Sequence, residues 1–245
     1  MKPKITALAI TFNDEKNVKR YVESLSFANE IIFIDSFSSD KTVEIAREYG
    51  VTVFQRELDT LNNQKDFAIS KVSSDWVSFF DLDEIITPEL GKEILEKIIS
   101  QKPSTAFSVK RKFFFFGKLI KYGNWQCDTT IKVFNKTVYS FHCELLTAHV
   151  KKLNQPVNYY GYDSFDSYNA KLNAISNIEA KELYFKNKRP NAYHFFIVPN
   201  FYFIKNYILK LGFLDGKEGL ILTYLHSFAI FKRYLKLWLM YRKIE

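Results

Sequence analysis

Residues 76–84 read Trp-Val-Ser-Phe-Phe-Asp-Leu-Asp-Glu, a run of apolar residues that ends in an acidic cluster. The apolar half, Trp76–Phe80, predicts a buried strand, so Asp81 stands where the chain leaves the core. Asp81, Asp83 and Glu84 would then lie at one edge of a sheet, where they repel one another unless a positive charge lies between them. A hard divalent cation with oxygen ligands would relieve that repulsion. A solvated acidic loop is the alternative, because an Asp-x-Asp pattern alone is a weak motif.

Apolar runs and amphipathic stretches alternate through the N-terminal part of the chain. Thr87 and Pro88 are typical of a helix start, with Thr87 as the N-cap and Pro88 as the first helical residue. This alternation predicts an α/β fold with a mixed, mainly parallel sheet flanked by helices. The predicted strands are Ile5–Ile10, Glu30–Ile34, Val51–Phe54 and Trp76–Phe80. The first predicted helix follows a turn at Thr11-Phe12-Asn13 and continues through Phe27, and the next two are Lys41–Tyr49 and Leu61–Val72.

The pattern changes after Lys102. Phe107–Phe116 and Thr130–Phe134 look like strands, and regular helical spacing returns only near Asp166. From there the sequence is helical, and its last part, Tyr193–Tyr241, is aromatic and basic. We therefore expect three segments, residues 1–102, 103–165 and 166–245, the last of them a helical C-terminal extension.

Composition narrows the class of protein. Apolar residues make up 47% of the 245 residues, which allows a full core, and eight Gly and six Pro disfavour an all-β sandwich. The net charge of +8 favours polyanionic partners such as nucleic acid, an anionic membrane or phosphorylated substrates. Cys127 and Cys143, without a recognisable secretory signal, predict free thiols in the cytoplasm. Pro190–Ile204, the longest uncharged aromatic stretch, is too short and too polar to span a bilayer, which predicts a soluble or peripheral protein.

Polar side chains also follow the first two predicted strands. Asn13 and Glu15 follow the first strand, and Asp35 and Asp40 flank the loop after the second. Ligands bind parallel α/β sheets at the carboxyl ends of the strands, so these residues and the acidic cluster are expected at one edge. The commoner use of Asp35 and Asp40 would be as turn residues and as N-caps of the helix that follows.

Four N-terminal segments carry a resemblance to a known family. They are Ile10-Thr11-Phe12-Asn13-Asp14-Glu15, Ile34-Asp35-Ser36-Phe37-Ser38-Ser39-Asp40-Lys41-Thr42, Asn63-Gln64-Lys65 and Phe80-Asp81-Leu82-Asp83-Glu84. Together they resemble the nucleotide-sugar domain of family 2 glycosyltransferases, which have the fold called GT-A. Gly123-Asn124-Trp125 and the Gly-Phe-Leu-Asp-Gly of Gly212–Gly216 are similar to the branch that adds glucose or another hexose to the lipopolysaccharide inner core. The resemblance covers nearly the whole chain.

The resemblance implies a role for each candidate site residue. Asp35 would accept hydrogen bonds from the uracil or ribose. Asp83 would be the principal metal ligand, and Asp81 would touch the ribose, the metal or its bound water. Mg²⁺ or Mn²⁺ would neutralise the negative charge that grows on the departing UDP. The other nucleotide-sugar residues would be Thr11, Asn13 and Glu15 in the nucleotide pocket, Gln64 and Lys65 near the base or diphosphate, and Lys132.

The resemblance also assigns the acceptor side of the chemistry. Residues 1–102 would be the nucleotide-sugar-binding half of the GT-A domain and residues 103–165 its acceptor-side half. An inverting transfer needs a carboxylate opposite the leaving group to deprotonate the acceptor hydroxyl. The branch has a His-Glu pair where this sequence reads His142-Cys143-Glu144, so Glu144 is the predicted catalytic base. An exposed strand glutamate is the alternative for Glu144, and His142 is interpreted as a strand residue.

Two further positions depart from the branch. Lys132 stands where the branch often has Arg, and it would supply charge without a bidentate fork. Tyr159 replaces a His that many relatives carry and that is sometimes a metal ligand. Metal binding would then depend on Asp83, phosphates and water.

The C-terminal aromatic and basic segment has three interpretations. Most of its Phe, Tyr and Leu residues are expected to pack the helices together. Its basic residues, with Trp238 and Tyr241 nearby, also suit an interfacial helix on an anionic membrane; they are Lys232, Arg233, Lys236 and Lys243. A nucleic-acid face is the least favoured, because no zinc-finger or RNA-binding motif accompanies the charge, and no nucleic-acid partner is expected.

These inferences predict a metal-dependent inverting glycosyltransferase at the cytoplasmic face of the inner membrane. It would move a hexose from UDP-hexose to a lipopolysaccharide-core or related glycan or glycolipid acceptor. A non-catalytic nucleotide-sugar-binding or scaffold protein is an alternative that the departures at Lys132, Cys143 and Tyr159 permit. A nucleotidyltransferase is the third hypothesis; it would want a glycine-rich, basic triphosphate loop, and Thr11–Asn17 has no glycine.

Overall fold

The computed structural model describes most of the chain, and the chain divides into two compact units. The described residues are 3–57, 60–100, 102–123, 125, 129–138, 149–161 and 164–243. The first unit consists of Met1–Lys112 and Asp128–Tyr159, and the second of Phe113–Cys127 and Tyr160–Glu245.

The first unit begins with the predicted alternation of strands and helices. Its elements are β1 Ile5–Thr11, α1 Glu15–Glu23, β2 Glu30–Asp35, α2 Thr42–Glu48, β3 Thr52–Gln55, α3 Leu61–Ser70, β4 Trp76–Phe79, β5 Glu84–Ile85 and α4 Pro88–Ser100. The start of α4 is as predicted, because the Thr87 hydroxyl accepts a hydrogen bond from the backbone N–H of Leu90 at 3.2 Å. The α/β class predicted from the alternation is confirmed.

The remaining strands make the sheet mixed. They are β6 Thr105–Phe115, β7 Lys118–Leu119, β8 Thr129–Asn135, β9 His149–Lys152 and β10 Val157–Tyr159, with a short 3₁₀ helix at Lys136–Val138. The order across the sheet is β3-β2-β1-β4-β8-β6-β10-β5, and β7 and β9 also pair with β6. Strands β1 to β4 pair in parallel with one another, whereas β8 runs antiparallel to both β4 and β6.

Apolar side chains cover both faces of the parallel strands, as the alternation of residues along a strand requires. On one face, Ala7, Ala9 and Phe33 pack with buried residues of α1, α2 and α4. On the other face, Leu8 and Ile32 pack with the α3 side of the unit. The strand register then sets the position of the polar ends, because Thr11 of β1 lies opposite Asp35 of β2, and Asp35 lies opposite Gln55 of β3.

The second unit is mainly helical, as predicted for the C-terminal extension. It contains α5 Phe165–Phe185, α6 Ala192–Phe203, a π-helical segment Ile204–Leu209, a 3₁₀ helix Gly212–Asp215 and α7 Gly216–Arg242. Helix α7 packs against both α5 and α6. No helix in the described part of the chain combines the length and the hydropathy of a membrane span.

Three of the basic residues predicted to face anionic lipid contact α5 in the structure. Lys232 Nζ donates to the Asn169 side chain at 3.2 Å, and Lys236 Nζ donates to the Asn173 side chain at 2.7 Å. Arg233 forms an ion pair with Glu179 at 3.2 Å. These cations therefore stabilise helix packing within the unit.

The Gly212–Gly216 motif is explained by close packing around Asp215. The buried Asp215 carboxylate accepts the backbone N–H groups of Lys121 at 3.0 Å and Tyr122 at 2.8 Å. A Cβ atom on Gly212 would lie only 2.7 Å from the carbonyl oxygen of Asn206, so this position requires glycine. The motif thus holds the segment after β7 against the start of α7.

Candidate functional site

The loops after β1 and β2 are joined by hydrogen bonds between backbone and side chains. The N–H of Asn13 donates to the Ser38 hydroxyl at 2.9 Å, and Asn13 Oδ1 accepts the N–H of Ser39 at 2.8 Å. Asn13 has φ 54°, a left-handed conformation that Asn tolerates better than most residues. The predicted pocket residue Asn13 therefore connects two loops at the carboxyl edge of the sheet.

Glu15 and Asp40 make a second connection between the same loops. The N–H of Glu15 donates to Asp40 at 3.2 Å, and Glu15 Oε2 accepts the N–H of Lys41 at 3.1 Å. Burial acts to raise the pKa of Asp40, but hydrogen bonds from the Thr42 hydroxyl and N–H and from the Glu15 N–H lower it below its usual value. Asp40 Oδ1 accepts the N–H of Thr42, the first residue of α2, at 2.9 Å, so a side chain of this turn caps the helix start as predicted, although Lys41 is the residue directly before the helix.

Asp35 is fully buried between the two loops, and its carboxylate is surrounded by donors. One oxygen accepts from the Thr11 hydroxyl at 3.2 Å and from the Ser38 hydroxyl. The other accepts from the Ser38 N–H at 2.9 Å and from the Gln55 amide at 3.1 Å. Thr11 and Asp35 thus lie together as predicted, and a hydrogen bond from a nucleoside to Asp35 would replace one of these donors.

Gln64 and Lys65 lie on α3 near the same edge, but their surroundings differ. Gln64 is buried; its side-chain N–H₂ donates to the Arg56 carbonyl at 3.2 Å and to Ser36 at 3.3 Å, and its oxygen accepts from the Arg56 guanidinium at 3.1 Å. These contacts give Gln64 a structural role between the ends of β2 and β3. The Lys65 ammonium lies 5.9 Å from the centre of the Phe79 ring, at the end of β4.

Two aromatic side chains in these loops are exposed, and sequence analysis gave neither a role. Phe12 is 59% exposed and Phe37 is 57% exposed. Phe37 has φ 59°, a left-handed conformation that is uncommon for an aromatic residue. Both positions could have been noticed in the sequence. Phe12 stands beside Asn13, and Phe37 stands between Asp35 and Asp40, where a solvated loop would have polar residues.

The acidic cluster after β4 is neutralised by two cations of the chain. Glu84 is fully buried; its carboxylate pairs with Arg111 and with Lys132 Nζ at 2.7 Å. Asp81 pairs with Lys132 at 3.0 Å and with Arg111 at 3.3 Å, and its N–H donates to Glu84 at 2.9 Å. Arg111 and Lys132 therefore offset much of the predicted repulsion, and both oxygens of Glu84 are engaged in these contacts.

Arg111 is a further site residue that was not predicted from the sequence. It lies on β6 between the buried Val109 and Phe113, so the two-residue period of the strand places all three on one face. An arginine on the inward face of a strand needs a carboxylate partner. The alternation of apolar and charged residues along β6 could have indicated from the sequence that Arg111 has a carboxylate partner.

The Asp81 carboxylate remains exposed at 63% and is held in its ionised form. Burial acts to raise the pKa of Asp81, but the positive charge and hydrogen bond of Lys132, together with the charges of Arg111 and Lys65, outweigh it. The pKa of Asp81 therefore lies below its usual value. Lys132 therefore supplies the positive charge predicted for it.

The buried Tyr21 hydroxyl lies near the negative charges of the acidic cluster. Its hydroxyl donates to the Phe80 carbonyl at 3.0 Å. Burial raises the pKa of Tyr21 well above 10, and the charges of Asp81, Glu84 and Asp83 raise it further.

The protein supplies few ligands for a metal at this edge. In the part of the chain that the structure describes, no group of three or more His, Cys, Asp or Glu residues is arranged to hold a metal ion. Tyr159, which stands where relatives have a His, pairs with Glu84 in the sheet, and the Arg111 guanidinium lies 5.1 Å from the centre of its ring. Asp81 and Asp83 are the carboxylates available, and Mg²⁺ or Mn²⁺ would take its other oxygen ligands from a diphosphate and water.

The predicted catalytic base lies outside the described residues. This holds for Glu144 and for its neighbours His142 and Cys143. Their roles stay predictions.

Comparison with known proteins identifies the sequence family. The family model described as Glycosyl transferase family 2 matches residues 6–203. An uncharacterized glycosyltransferase of Rickettsia bellii is 28% identical over 252 residues, which cover 96% of this chain and 86% of the relative. The lipopolysaccharide core biosynthesis glycosyltransferase LpsC of Rhizobium meliloti is 23% identical over 257 residues, which cover 94% of this chain and 93% of LpsC.

Solved structures show the same fold. The mannosyltransferase PcManGT from Pyrobaculum calidifontis, in complex with GDP-Man and Mn²⁺, has a TM-score of 0.53 at 11% identity, covering 97% of this chain and 87% of that one. Glucosyl-3-phosphoglycerate synthase from Mycobacterium tuberculosis, with Mg²⁺ and UDP, has a TM-score of 0.51 at 14% identity, covering 78% and 81%. The predicted GT-A fold is confirmed.

The lowered pKa of Asp81 makes a prediction about stability and pH. Ionised Asp81 stabilises the fold fully above the unfolded pKa of about 3.9, and this contribution is lost as the pH falls through the lower folded pKa. Asp81→Asn should therefore lower the free energy of unfolding near neutral pH and have little effect once the pH lies below the folded pKa of Asp81. Urea denaturation of both proteins across this range measures the difference.

The control for this prediction removes the main cause of the shift. In a Lys132→Met background, the Asp81→Asn substitution should cost much less at neutral pH, because the nearest cation is gone. An equal cost in both backgrounds would contradict the assignment of the pKa shift to Lys132.

Proposed function

The chain belongs to glycosyl transferase family 2, and from that premise we propose that it is a metal-dependent inverting hexosyltransferase. Its donor would be a UDP-hexose, and its acceptor a lipopolysaccharide-core or related surface glycan or glycolipid at the cytoplasmic face of the inner membrane. Glycosyl transfer follows from the family. The donor, acceptor, metal and stereochemistry are the proposed part.

The observation that carries the proposal is the arrangement of polar groups at the carboxyl ends of the parallel strands. The loops after β1 and β2 are bonded to each other around the buried Asp35, and the ionised Asp81 follows β4 beside β1. In a parallel sheet this edge binds ligands. A nucleoside on the loops of β1 and β2 would direct its diphosphate toward Asp81 and Asp83.

We assign the base of the nucleotide to the exposed aromatic loop residues. A nucleobase gains free energy by stacking on an aromatic ring, and Phe12 offers a solvent-exposed ring directly after β1. Asn13 and Glu15, which connect the loops, would keep this ring in place. Asp35, next to Thr11, would accept a hydrogen bond from the uracil or ribose.

The carboxylates of the chain would complete the ligands of a metal ion only together with a bound nucleotide. Mg²⁺ requires about six oxygen ligands, and Asp81 and Asp83 do not provide them alone. The diphosphate would complete the set, with Lys65 near its charge. When bound, Mg²⁺ or Mn²⁺ would stabilise the negative charge on the departing UDP. Lys132 and Arg111 would hold Asp81 in position through the ion pairs that they also make with Glu84.

The remaining roles are assigned by segment. Residues 1–102 would bind the nucleotide sugar, residues 103–165 would contact the acceptor, and residues 166–245 would form the helical extension. Glu144, as catalytic base, would take the proton of the acceptor hydroxyl while that oxygen attacks the anomeric carbon from the side opposite UDP.

Names of relatives support the choice of ligands. LpsC is named for the lipopolysaccharide core, which supports that acceptor class. PcManGT was solved with GDP-Man and Mn²⁺, and the mycobacterial synthase with Mg²⁺ and UDP, which supports a nucleoside diphosphate with a divalent metal. The family match favours transfer over a scaffold or a nucleotidyltransferase.

The stacking assignment predicts the effect of Phe12→Ala on nucleotide binding. Loss of one base–aromatic stack costs about 1–3 kcal/mol, so the Kd for UDP should rise about 5- to 100-fold. Isothermal titration calorimetry with Mn²⁺ present measures it. Phe185→Ala removes an aromatic ring that is 81% exposed on α5 and should leave the Kd unchanged. Equal affinity of the Phe12→Ala variant and the unmodified chain would exclude Phe12 as the stacking residue.

The metal assignment predicts that Mn²⁺ and UDP bind together. UDP should bind more tightly with Mn²⁺ than with EDTA, and Mn²⁺ alone should bind weakly. Asp83→Ala should weaken Mn²⁺-dependent binding by about 10- to 100-fold or more, since a lost outer-shell partner already costs that much. Asp75→Ala, at the opposite end of β4, is the matched control and should bind as the unmodified chain does. UDP binding that ignores Mn²⁺ in every variant would refute the metal assignment.

The catalytic-base assignment predicts that binding and turnover separate in Glu144→Gln. UDP affinity should be retained, while hexose transfer from UDP-glucose or UDP-galactose to core-truncated lipopolysaccharide should fall about 10²- to 10⁴-fold. His142→Gln, two residues earlier, should retain turnover. Normal turnover in Glu144→Gln would move the base to another carboxylate.

A further inference from the structure

Helix α6 and the π-helical segment after it carry a continuous stripe of exposed apolar side chains. Its members are each at least 46% exposed and recur every three or four residues, so they share one side of the helix; they are Tyr193, Ile197, Phe201, Ile204 and Ile208. We call these five residues the α6 stripe. Exposed apolar side chains continue beyond it at Leu209 and at Leu214, which are 68% and 52% exposed.

The other side of α6 is used for packing on α7. The ring of Phe195 lies 5.8 Å from that of Phe231, and the ring of His194 lies 4.8 Å from that of Tyr234. The Ser227 hydroxyl donates to the Pro199 carbonyl at 2.8 Å. The α6 stripe is therefore a second apolar face of a helix whose packing face is already occupied.

The sequence segment that carries the stripe has a positive net charge. Between Lys186 and Lys217 the sequence has six basic residues and a single acid, Asp215. Asp215 is buried and accepts backbone N–H groups, so it adds no exposed negative surface. Lys205 lies within the π-helical segment itself and is exposed. An apolar stripe with cations around it is complementary to a surface of anionic headgroups over hydrocarbon.

We propose that the α6 stripe is the surface by which the second unit lies in the interface of an anionic lipid bilayer. The side chains of Ile197, Phe201 and Ile208 enter the acyl boundary, and Lys205 and Lys210 contact anionic headgroups. This inference rests on the proposed glycolipid acceptor for its purpose, because that acceptor would be met at the same bilayer. The α6 stripe is a different surface from the basic face of α7, whose cations Lys232, Arg233 and Lys236 contact α5.

A second copy of the chain fits the stripe less well. Two identical stripes in a symmetric contact would bring their cations together, and like charges oppose such a contact. Anionic lipid supplies the opposite charge. Pairing of two copies is therefore the outcome that would count against the proposal.

The test is vesicle flotation of the full chain, without donor or acceptor. The unmodified chain should float with phosphatidylcholine vesicles that contain phosphatidylglycerol and much less with phosphatidylcholine alone. The triple variant Ile197→Ser, Phe201→Ser and Ile208→Ser should reduce the partition coefficient about tenfold or more. The matched control replaces Ile99, Val150 and Ile178, which are exposed elsewhere, by Ser and should float normally.

A gain-of-signal measurement covers the case in which the triple variant does not fold. Phe201→Trp keeps a large apolar side chain, and its fluorescence should be quenched by brominated lipid in anionic vesicles. Ile178→Trp, on α5, should not be quenched. Absence of quenching at position 201 would overturn the proposal.

Two further readouts separate the competing explanations. Unchanged flotation of a folded triple variant, with a dimer-to-monomer change in analytical ultracentrifugation, would overturn the proposal in favour of a second copy. UDP binding in solution tests the proposed function without vesicles. A chain that binds UDP but no vesicles refutes only the bilayer surface, and the reverse result refutes only the donor assignment.

Discussion

The carboxylate of Glu84 is fully buried, and a charge in the protein interior requires partners of opposite charge. Lys132 on β8 and Arg111 on β6 provide them, so one ionic contact joins β5, β6 and β8 around the end of β4. Removing one partner of such a buried group typically costs about 3–5 kcal/mol. Strands β6 and β8 and the end of the parallel sheet are therefore coupled through a single carboxylate.

The same contact determines the charge of the candidate site. Asp81, Asp83 and Glu84 carry three negative charges, and the pairing cations Arg111 and Lys132 carry two. Only a small negative excess is left at the exposed Asp81, with Lys65 near it. A metal ion by itself gains little from so few ligands and so little charge, whereas a metal with a diphosphate brings its own oxygen ligands. In the proposed function, the metal and the diphosphate would therefore bind together.

Local patterns predicted the parallel half of the fold and the position of the acidic cluster. The apolar run Trp76–Phe80 predicted β4 and placed the acidic cluster at its end. The register of β1 with β2 brings Thr11 and Asp35 together. The Arg111 contact was not predicted, because β6 reaches Glu84 only through long-range strand pairing. A strand of two residues, such as β5, has too few residues for a two-residue period to be recognised. The donors around Asp35 were also missed, since they come from three separate strand ends.

Helix α6 shows where composition alone is insufficient. Its sequence is apolar on all sides, which usually indicates a buried helix, and sequence analysis accordingly assigned its aromatic residues to packing. In the structure only one side packs on α7, so the other side exposes Tyr193, Ile197 and Phe201 to solvent. An exposed apolar face promotes aggregation unless a partner covers it, and the cations between Lys186 and Lys217 oppose self-association through like-charge repulsion. An anionic bilayer satisfies both conditions, because it covers the apolar side chains and neutralises the cations.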